Sequence, residues 1–87
     1  MSKYIYPAVF HANADGTFTI SFPDLPGCIS EGKSLENALY MAQDALKQWL
    51  EVSIEQEVPF SEPSSINSVV RGEDEFVSLI CADVKDA

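Results

Sequence analysis

Residues 22–28 read Phe22-Pro23-Asp24-Leu25-Pro26-Gly27-Cys28. The two prolines restrict their own φ angles, and Gly27 can adopt a positive φ that other residues disfavour. We therefore interpret this stretch, called the corner below, as a sharp turn from one β-strand into its neighbour. The corner divides the chain, because strand signals precede it and a helix signal follows it.

Two strands are predicted before the corner. Residues 4–11 are mostly aromatic or aliphatic, residues 13–16 supply turn chemistry, and residues 17–22 alternate between polar and apolar. This pattern predicts a β-hairpin whose sheet has one packed face and one face in water. Pro7 cannot donate a ladder hydrogen bond, which predicts either an edge position or a bulge for the first strand.

A short strand and one long helix are predicted after the corner. Residues 28–31 form the strand, and Ser34 is placed as the N-cap of the helix. Glu36 in the first turn favours the helix dipole. Apolar residues then recur at steps of three and four, which predicts about five turns packed on one face of the sheet. This apolar stripe consists of Leu35, Ala38, Leu39, Ala42, Leu46, Trp49 and Leu50.

The last third of the chain is predicted to contain a loop and a final strand. Residues 55–65 are rich in proline, serine and glutamate, which indicates an irregular surface loop, and residues 66–70 are expected to be extended. The almost continuous apolar run 76–84 predicts an interior strand buried on both sides. The predicted fold class is therefore α+β, in the order β-β-β-α-β, as a single domain over residues 1–87.

The composition narrows the choice of partners. Fourteen Asp and Glu stand against five Lys and Arg, for a net charge of -9. This balance argues against direct nucleic-acid binding, which needs clustered cations, and favours a basic protein partner, although the charge could also serve solubility alone. No apolar run is long enough for a membrane span and no signal-peptide core is present, so we expect a cytosolic protein and no membrane partner.

No catalytic, metal-binding or cofactor-binding residues are predicted. Cys28 and Cys81 lie far apart and the chain has one His, so we interpret both cysteines as small buried hydrophobic residues. A two-metal nuclease of the ribonuclease H type would need several carboxylates that converge on one cleft. Nothing in the sequence predicts that Asp44 and Asp83 point to the same site. His11 is the single candidate base for nucleophilic catalysis. We therefore predict that the chain is not an enzyme.

The corner, the helix start Ser34-Leu35-Glu36-Asn37-Ala38 and the later pair Pro63-Ser64 occur in an order that resembles the HicB antitoxin family over most of the chain. The resemblance implies a degraded, catalytically inactive ribonuclease H-like domain. It also implies a partner, the small HicA toxin, which is an mRNA-cleaving ribonuclease whose active site the antitoxin covers. The lack of converging acids and the negative charge agree with both implications.

The resemblance has one departure. Many members of the family continue past the last strand into a segment that binds the operator of their own operon, whereas this sequence stops at Ala87. The expectation is therefore a domain that lacks the DNA-binding part, either as a shortened member of the family or as a fragment. Two other functions stay open, namely a regulatory, scaffold or small-ligand-binding domain of the same fold, and a residual metal-dependent nuclease.

Candidate partner-binding residues lie near the corner and the sheet edge. Asp24 and Glu31 are the acids of that region, and Tyr4, Tyr6 and Phe60 are candidate apolar anchors. Each of the five also has an alternative, purely structural interpretation. Edge strands with free backbone groups invite pairing, so a homodimer or a higher homo-oligomer is expected in addition to the toxin complex.

Overall fold

The structure is a computed structural model, and it describes residues 1–85. Residues 86 and 87 of the predicted domain lie outside the described part. The elements in chain order are β1 (Ser2–Ala12), β2 (Phe18–Ser21), β3 (Ile29–Gly32), α1 (Leu35–Glu55), a 3-10 turn (Ile66–Ser68) and β4 (Glu75–Val84). The four strands form one antiparallel sheet in the order β3-β2-β1-β4, with α1 packed on one face. The α+β prediction with one long helix is confirmed, and the ribonuclease H-like assignment stays a prediction.

The core lies between α1 and one face of the sheet. Side chains four residues apart on the helix face the sheet and are fully buried, namely Ala38, Ala42, Leu46 and Leu50. They pack against alternate residues of the strands, such as Phe10 and Ile20. Leu35 and Leu39 were wrongly predicted to belong to this stripe. Both are exposed because they lie on the flank of the helix, beyond the row that faces the sheet.

Two strand positions differ from the prediction. β1 is an inner strand, although Pro7 indicated an edge or a bulge. Proline is tolerated because β2 pairs with β1 only from Val9 onward, which leaves one side of β1 without a ladder partner at Pro7. β4 was predicted to be an interior strand buried on both sides, and it is instead an edge strand with alternating burial from Leu79 onward.

Two smaller predictions are also corrected. The predicted extended piece at 66–70 begins with a 3-10 turn, in which the Ser65 side chain accepts a hydrogen bond from the Asn67 N–H. Cys28 is buried as predicted, but Cys81 is exposed, because it points to the sheet face opposite α1. The apolar run 76–84 therefore supplies apolar side chains to both faces of the sheet. The face opposite α1, called the open face below, is exposed at Ile5, Leu79 and Cys81.

Candidate functional site

The corner folds as predicted, and its residues are satisfied by local structure. The N–H of Phe22 donates to the Cys28 carbonyl at 3.1 Å, and the Cys28 N–H donates to the Leu25 carbonyl at 2.9 Å. The Leu25 side chain is fully buried, and Gly27 has a φ of +87°. The corner therefore anchors the start of β3 against the core, which is a structural role.

Asp24 connects the corner to the loop after the helix. Its carboxylate accepts hydrogen bonds from the Ser64 N–H at 2.8 Å and from the Ser64 hydroxyl at 2.5 Å. The two residues are 40 positions apart in sequence. Asp24 therefore positions the loop, and its carboxylate is already engaged, so a direct contact with a partner is not required to explain it.

We expect the Asp24→Ala variant to release this loop while Asp24→Asn retains it. Asparagine keeps one oxygen acceptor for the Ser64 N–H and offers its amide to the hydroxyl, so the geometry survives without the charge. Hydrogen exchange of the amides of Ser61, Glu62 and Ser64 should accelerate in Asp24→Ala, by about the fivefold that a bond worth roughly 1 kcal/mol implies. Equal acceleration in both variants would show that the charge, and not the geometry, holds the loop.

The three aromatic candidates form part of the packing beneath that loop. Phe60 lies between Tyr4 and Trp49, with ring centroids 6.1 Å apart in each pair and edge-to-face geometry. The Tyr6 ring is buried, and its hydroxyl donates to the Ser61 carbonyl at 2.6 Å. Burial raises the pKa of Tyr6 to about 12. Tyr6 is therefore not accessible to a partner, while Tyr4 and Phe60 remain only partly exposed.

An apolar groove lies between the corner and the second half of α1. We call it the corner groove, and its lining is Gly27, Cys28, Ile29, Ala45, Gln48, Trp49, Val52, Ser53, Gln56 and Val58. None of these residues is charged. Ile29, Val52 and Val58 are large apolar side chains that are about half or more exposed. Buried Cys28 has its pKa raised to about 11, so its thiol stays protonated near neutral pH.

The end of α1 shapes one end of the corner groove. Glu57 adopts a left-handed φ of 57°, and the Val58 N–H donates to the Ser53 carbonyl at 2.8 Å. The Glu57 N–H also donates to the Ile54 carbonyl, so the helix ends in a Schellman motif. This termination places Val58 in the groove lining, and it leaves Glu57 exposed beside it.

Acidic residues border the corner groove. Glu31 is exposed, but the register places its side chain on the sheet face opposite α1. Glu55 and Glu57 are exposed and flank Gln56 in sequence. An apolar lining with acids at its margin suits a partner that presents an apolar side chain surrounded by cations. Of the five candidate residues, Phe60 contacts this groove, because its ring packs edge to face on Trp49 of the lining.

The sequence interpretation missed the groove residues on the helix. Trp49 was placed in the core stripe, but it is only partly buried and lines the groove. Val52 was not singled out, and its exposed side chain lies one turn beyond Gln48 on the same flank. The sequence signal that could have identified Val52 is an apolar residue that lies next to the apolar stripe but outside the four-residue repeat of its buried members.

The candidate catalytic acids are engaged separately. Asp83 pairs with Lys3 at 2.8 Å, which lowers the pKa of the Asp83 carboxyl, and Asp44 accepts a hydrogen bond from the Gln48 amide at 3.0 Å. The Nδ1 atom of His11 lies 3.1 Å from the Oε2 atom of Glu75. Within residues 1–85, no group of three or more His, Cys, Asp or Glu is placed to hold a metal ion. Nor does this part of the chain contain a helix long and apolar enough to cross a membrane.

Solved structures with the same fold come from toxin–antitoxin systems. A chain of a toxin–antitoxin complex from Streptococcus pneumoniae matches with a TM-score of 0.83 at 24% identity, over 94% of this chain and 70% of that chain. The N-terminal domain of the Burkholderia pseudomallei antitoxin HicB matches with a TM-score of 0.75 at 22% identity, over 92% of this chain and 99% of that domain. At these identities the likeness shows the fold.

Family membership follows from the sequence itself. The model of the HicB-like antitoxins of bacterial toxin–antitoxin systems matches residues 6–85, so the chain belongs to this family. Antitoxin HicB 1 of Photorhabdus laumondii is 42% identical over 41 residues, which are 47% of this chain and 26% of that protein. An uncharacterised 14.9 kDa protein of Haemophilus phage HP1 is 36% identical over 61 residues, which are 68% of this chain and 45% of that protein. The chain thus spans less than half the length of these two relatives.

Proposed function

We propose that this domain neutralises a small, basic, mRNA-cleaving toxin of the HicA type by binding it and covering its active site. The observation that carries the proposal is the family match over residues 6–85. The net charge of -9 supports it, because a ribonuclease that binds RNA presents cations around its active site. The domain acts in this proposal as a catalytically inactive, ribonuclease H-like binding module.

The corner groove is the surface that we assign to the toxin. Its exposed apolar side chains, Ile29, Val52 and Val58, supply an anchor site, and binding energy in interfaces is concentrated in such desolvated central contacts. The neighbouring acids Glu55 and Glu57, which flank Gln56 of the lining, supply the charge that complements a basic partner. Such charges mainly accelerate encounter and select the partner.

The test co-expresses this chain with the product of its neighbouring gene, which the proposal expects to be a small basic protein, and purifies both. We expect the two proteins to elute together, and cleavage of a model mRNA by the toxin to stop when this chain is present in equimolar amount. Added salt should slow association, because the charge contribution is screened. Undiminished cleavage in the presence of excess folded antitoxin domain would refute the proposal.

A further inference from the structure

The outer side of β4 lies next to no other strand within residues 1–85, because β4 ends the sheet. The direction of its backbone groups follows from β1. The Ala12 N–H donates to the Asp74 carbonyl on the β4 side, whereas the Asn13 N–H donates to the Thr17 carbonyl on the β2 side. The direction of the backbone groups alternates along a strand, so the even-numbered residues of β1 point towards β4. The register pairs them with the even-numbered residues of β4, and these residues form the hydrogen bonds between the two strands. The residues of β4 whose backbone groups point outward are therefore the odd-numbered ones, Glu75, Val77, Leu79, Cys81 and Asp83.

Side chains already bond some of these outward groups. The Arg71 guanidinium donates to the Glu75 carbonyl at 3.2 Å. The Gln43 amide on α1 donates to the Cys81 carbonyl at 2.8 Å, which agrees with the outward direction of that group. The Ser78 hydroxyl approaches the Leu79 carbonyl at 3.5 Å, a distance at the limit of a weak bond. Natural edge strands are usually protected by proline, charged residues or bulges, and residues 76–82 contain no proline, Lys, Arg, Asp or Glu.

Apolar side chains border this edge on both faces of the sheet. On the open face, Leu79 is 51% exposed and lies near Ile5, which is 50% exposed and pairs with Cys81 in the register. On the helix side, Leu39 and Tyr40 are exposed and line a shallow groove along residues 78–81. The edge therefore combines open backbone groups with an uncovered apolar border, which is typical of an interaction surface.

The distribution of charge decides which occupant fits. A basic partner would gain little electrostatic attraction here, because the acids at the two ends of the edge already have partners. Glu75 is bonded by the Gly72 N–H and lies beside His11, and Asp83 pairs with Lys3. Two copies of a chain with a net charge of -9 repel each other over most of their surfaces. They can approach where charged side chains are absent, and an antiparallel pair of identical strands satisfies two-fold symmetry.

We propose that the outer edge of β4 pairs with β4 of a second copy, which joins the two four-stranded sheets into one continuous sheet. The register centred on Ile80 is favoured over the one centred on Leu79, because it keeps Glu75 away from the partner's Asp83. A register centred on Leu79 would set Glu75 opposite the partner's Asp83, and like charges directly opposite are destabilising. In the favoured register Leu79 faces the partner's Cys81, whose carbonyl exchanges its Gln43 bond for a ladder bond.

Sedimentation velocity of the full chain at micromolar concentration tests this pairing. Wild type should sediment as a dimer, and Leu79→Lys as a monomer of half the mass, because each copy would bring an ammonium group to the shared edge. Ile29→Lys is the matched control, since it places the same charge at an exposed apolar position on the opposite edge strand, and it should remain dimeric. Circular dichroism establishes that both variants are folded.

Thiol cross-linking locates the contact independently. A short bismaleimide should join two copies through exposed Cys81, while buried Cys28 with its raised pKa does not react. Cys81→Ser should abolish the cross-link and leave sedimentation unchanged. A wild type that sediments as a monomer, or a dimer broken by Ile29→Lys and not by Leu79→Lys, would overturn the proposal. Because Leu79 lies outside the corner groove, the Leu79→Lys monomer should still inhibit the toxin. The experiment can therefore refute the dimer without refuting the proposed function, and the reverse.

Discussion

The Gly32→Ala variant is expected to lose about 3 kcal/mol of unfolding free energy, at the upper end of the usual cost of overpacking a core. A Cβ on Gly32 would lie 2.4 Å from the Cα of Ala38 and 2.6 Å from its backbone nitrogen. These are backbone atoms in the first half of α1, so no side-chain rotation can relieve the contact. The helix would have to move away from β3, and the row of buried residues that follows Ala38 would move with it.

Urea or thermal unfolding measures this effect, with both proteins at the same concentration because a dimer makes the transition concentration-dependent. For a domain of this size the loss corresponds to a fall in the unfolding temperature on the order of 10 to 20 °C. Gly72→Ala is the control, since the nearest atom to its Cβ is the flexible Glu75 carboxylate at 3.4 Å. Alanine generally suits a strand better than glycine, so a neutral or stabilised Gly32→Ala would show that the helix does not approach β3 this closely.

Local signals predicted the elements but not their neighbours in the sheet. The corner, the Ser34 N-cap and the single long helix depend on residues close in sequence, and all three are confirmed. The place of β4 depends on which side of β1 it joins. Its open-face residues, such as Val77 and Leu79, are as apolar as its core residues, so the run resembles an interior strand.

The candidate site was harder to predict, for a related reason. Asp24 near the corner has the properties of a contact residue, but Ser64, which engages it, lies 40 positions away and carries no local signal of the pairing. Tyr6 is likewise explained by the loop that accepts its hydroxyl bond. The corner groove is formed by β3 and the flank of α1, and only the packing angle between them determines that Val52 is uncovered.

The two proposed surfaces lie on opposite edges of the sheet. The corner groove borders β3, and the edge assigned to self-pairing is the outer side of β4. A dimer formed through β4 therefore leaves both corner grooves open, and each copy can bind one toxin. The acids Glu55 and Glu57 lie beside the groove, whereas residues 76–82 carry no Asp or Glu. Charge thus separates the surface for a basic partner from the surface for an identical one.

The Val52→Lys variant is expected to weaken inhibition of the toxin by at least about 100-fold, equivalent to roughly 2.7 kcal/mol of binding free energy. Val52 is 51% exposed at the corner groove, so the change removes an apolar contact at the proposed centre of the interface. It also brings a cation towards a basic partner, which costs further binding energy. Titration calorimetry with the co-purified toxin, and inhibition of mRNA cleavage, measure the loss.

Leu35→Lys on the same helix is the matched control, because Leu35 is 50% exposed and does not line the groove. Both variants add one positive charge to the chain, so the long-range effect of net charge on the encounter should be similar in the two. Lysine is also a good helix former, so α1 should persist in each. A difference in affinity between them therefore reports the local contact at the groove. Equal affinities for Val52→Lys and Leu35→Lys would move the toxin site away from the corner groove, whereas a loss confined to Val52→Lys would assign it there.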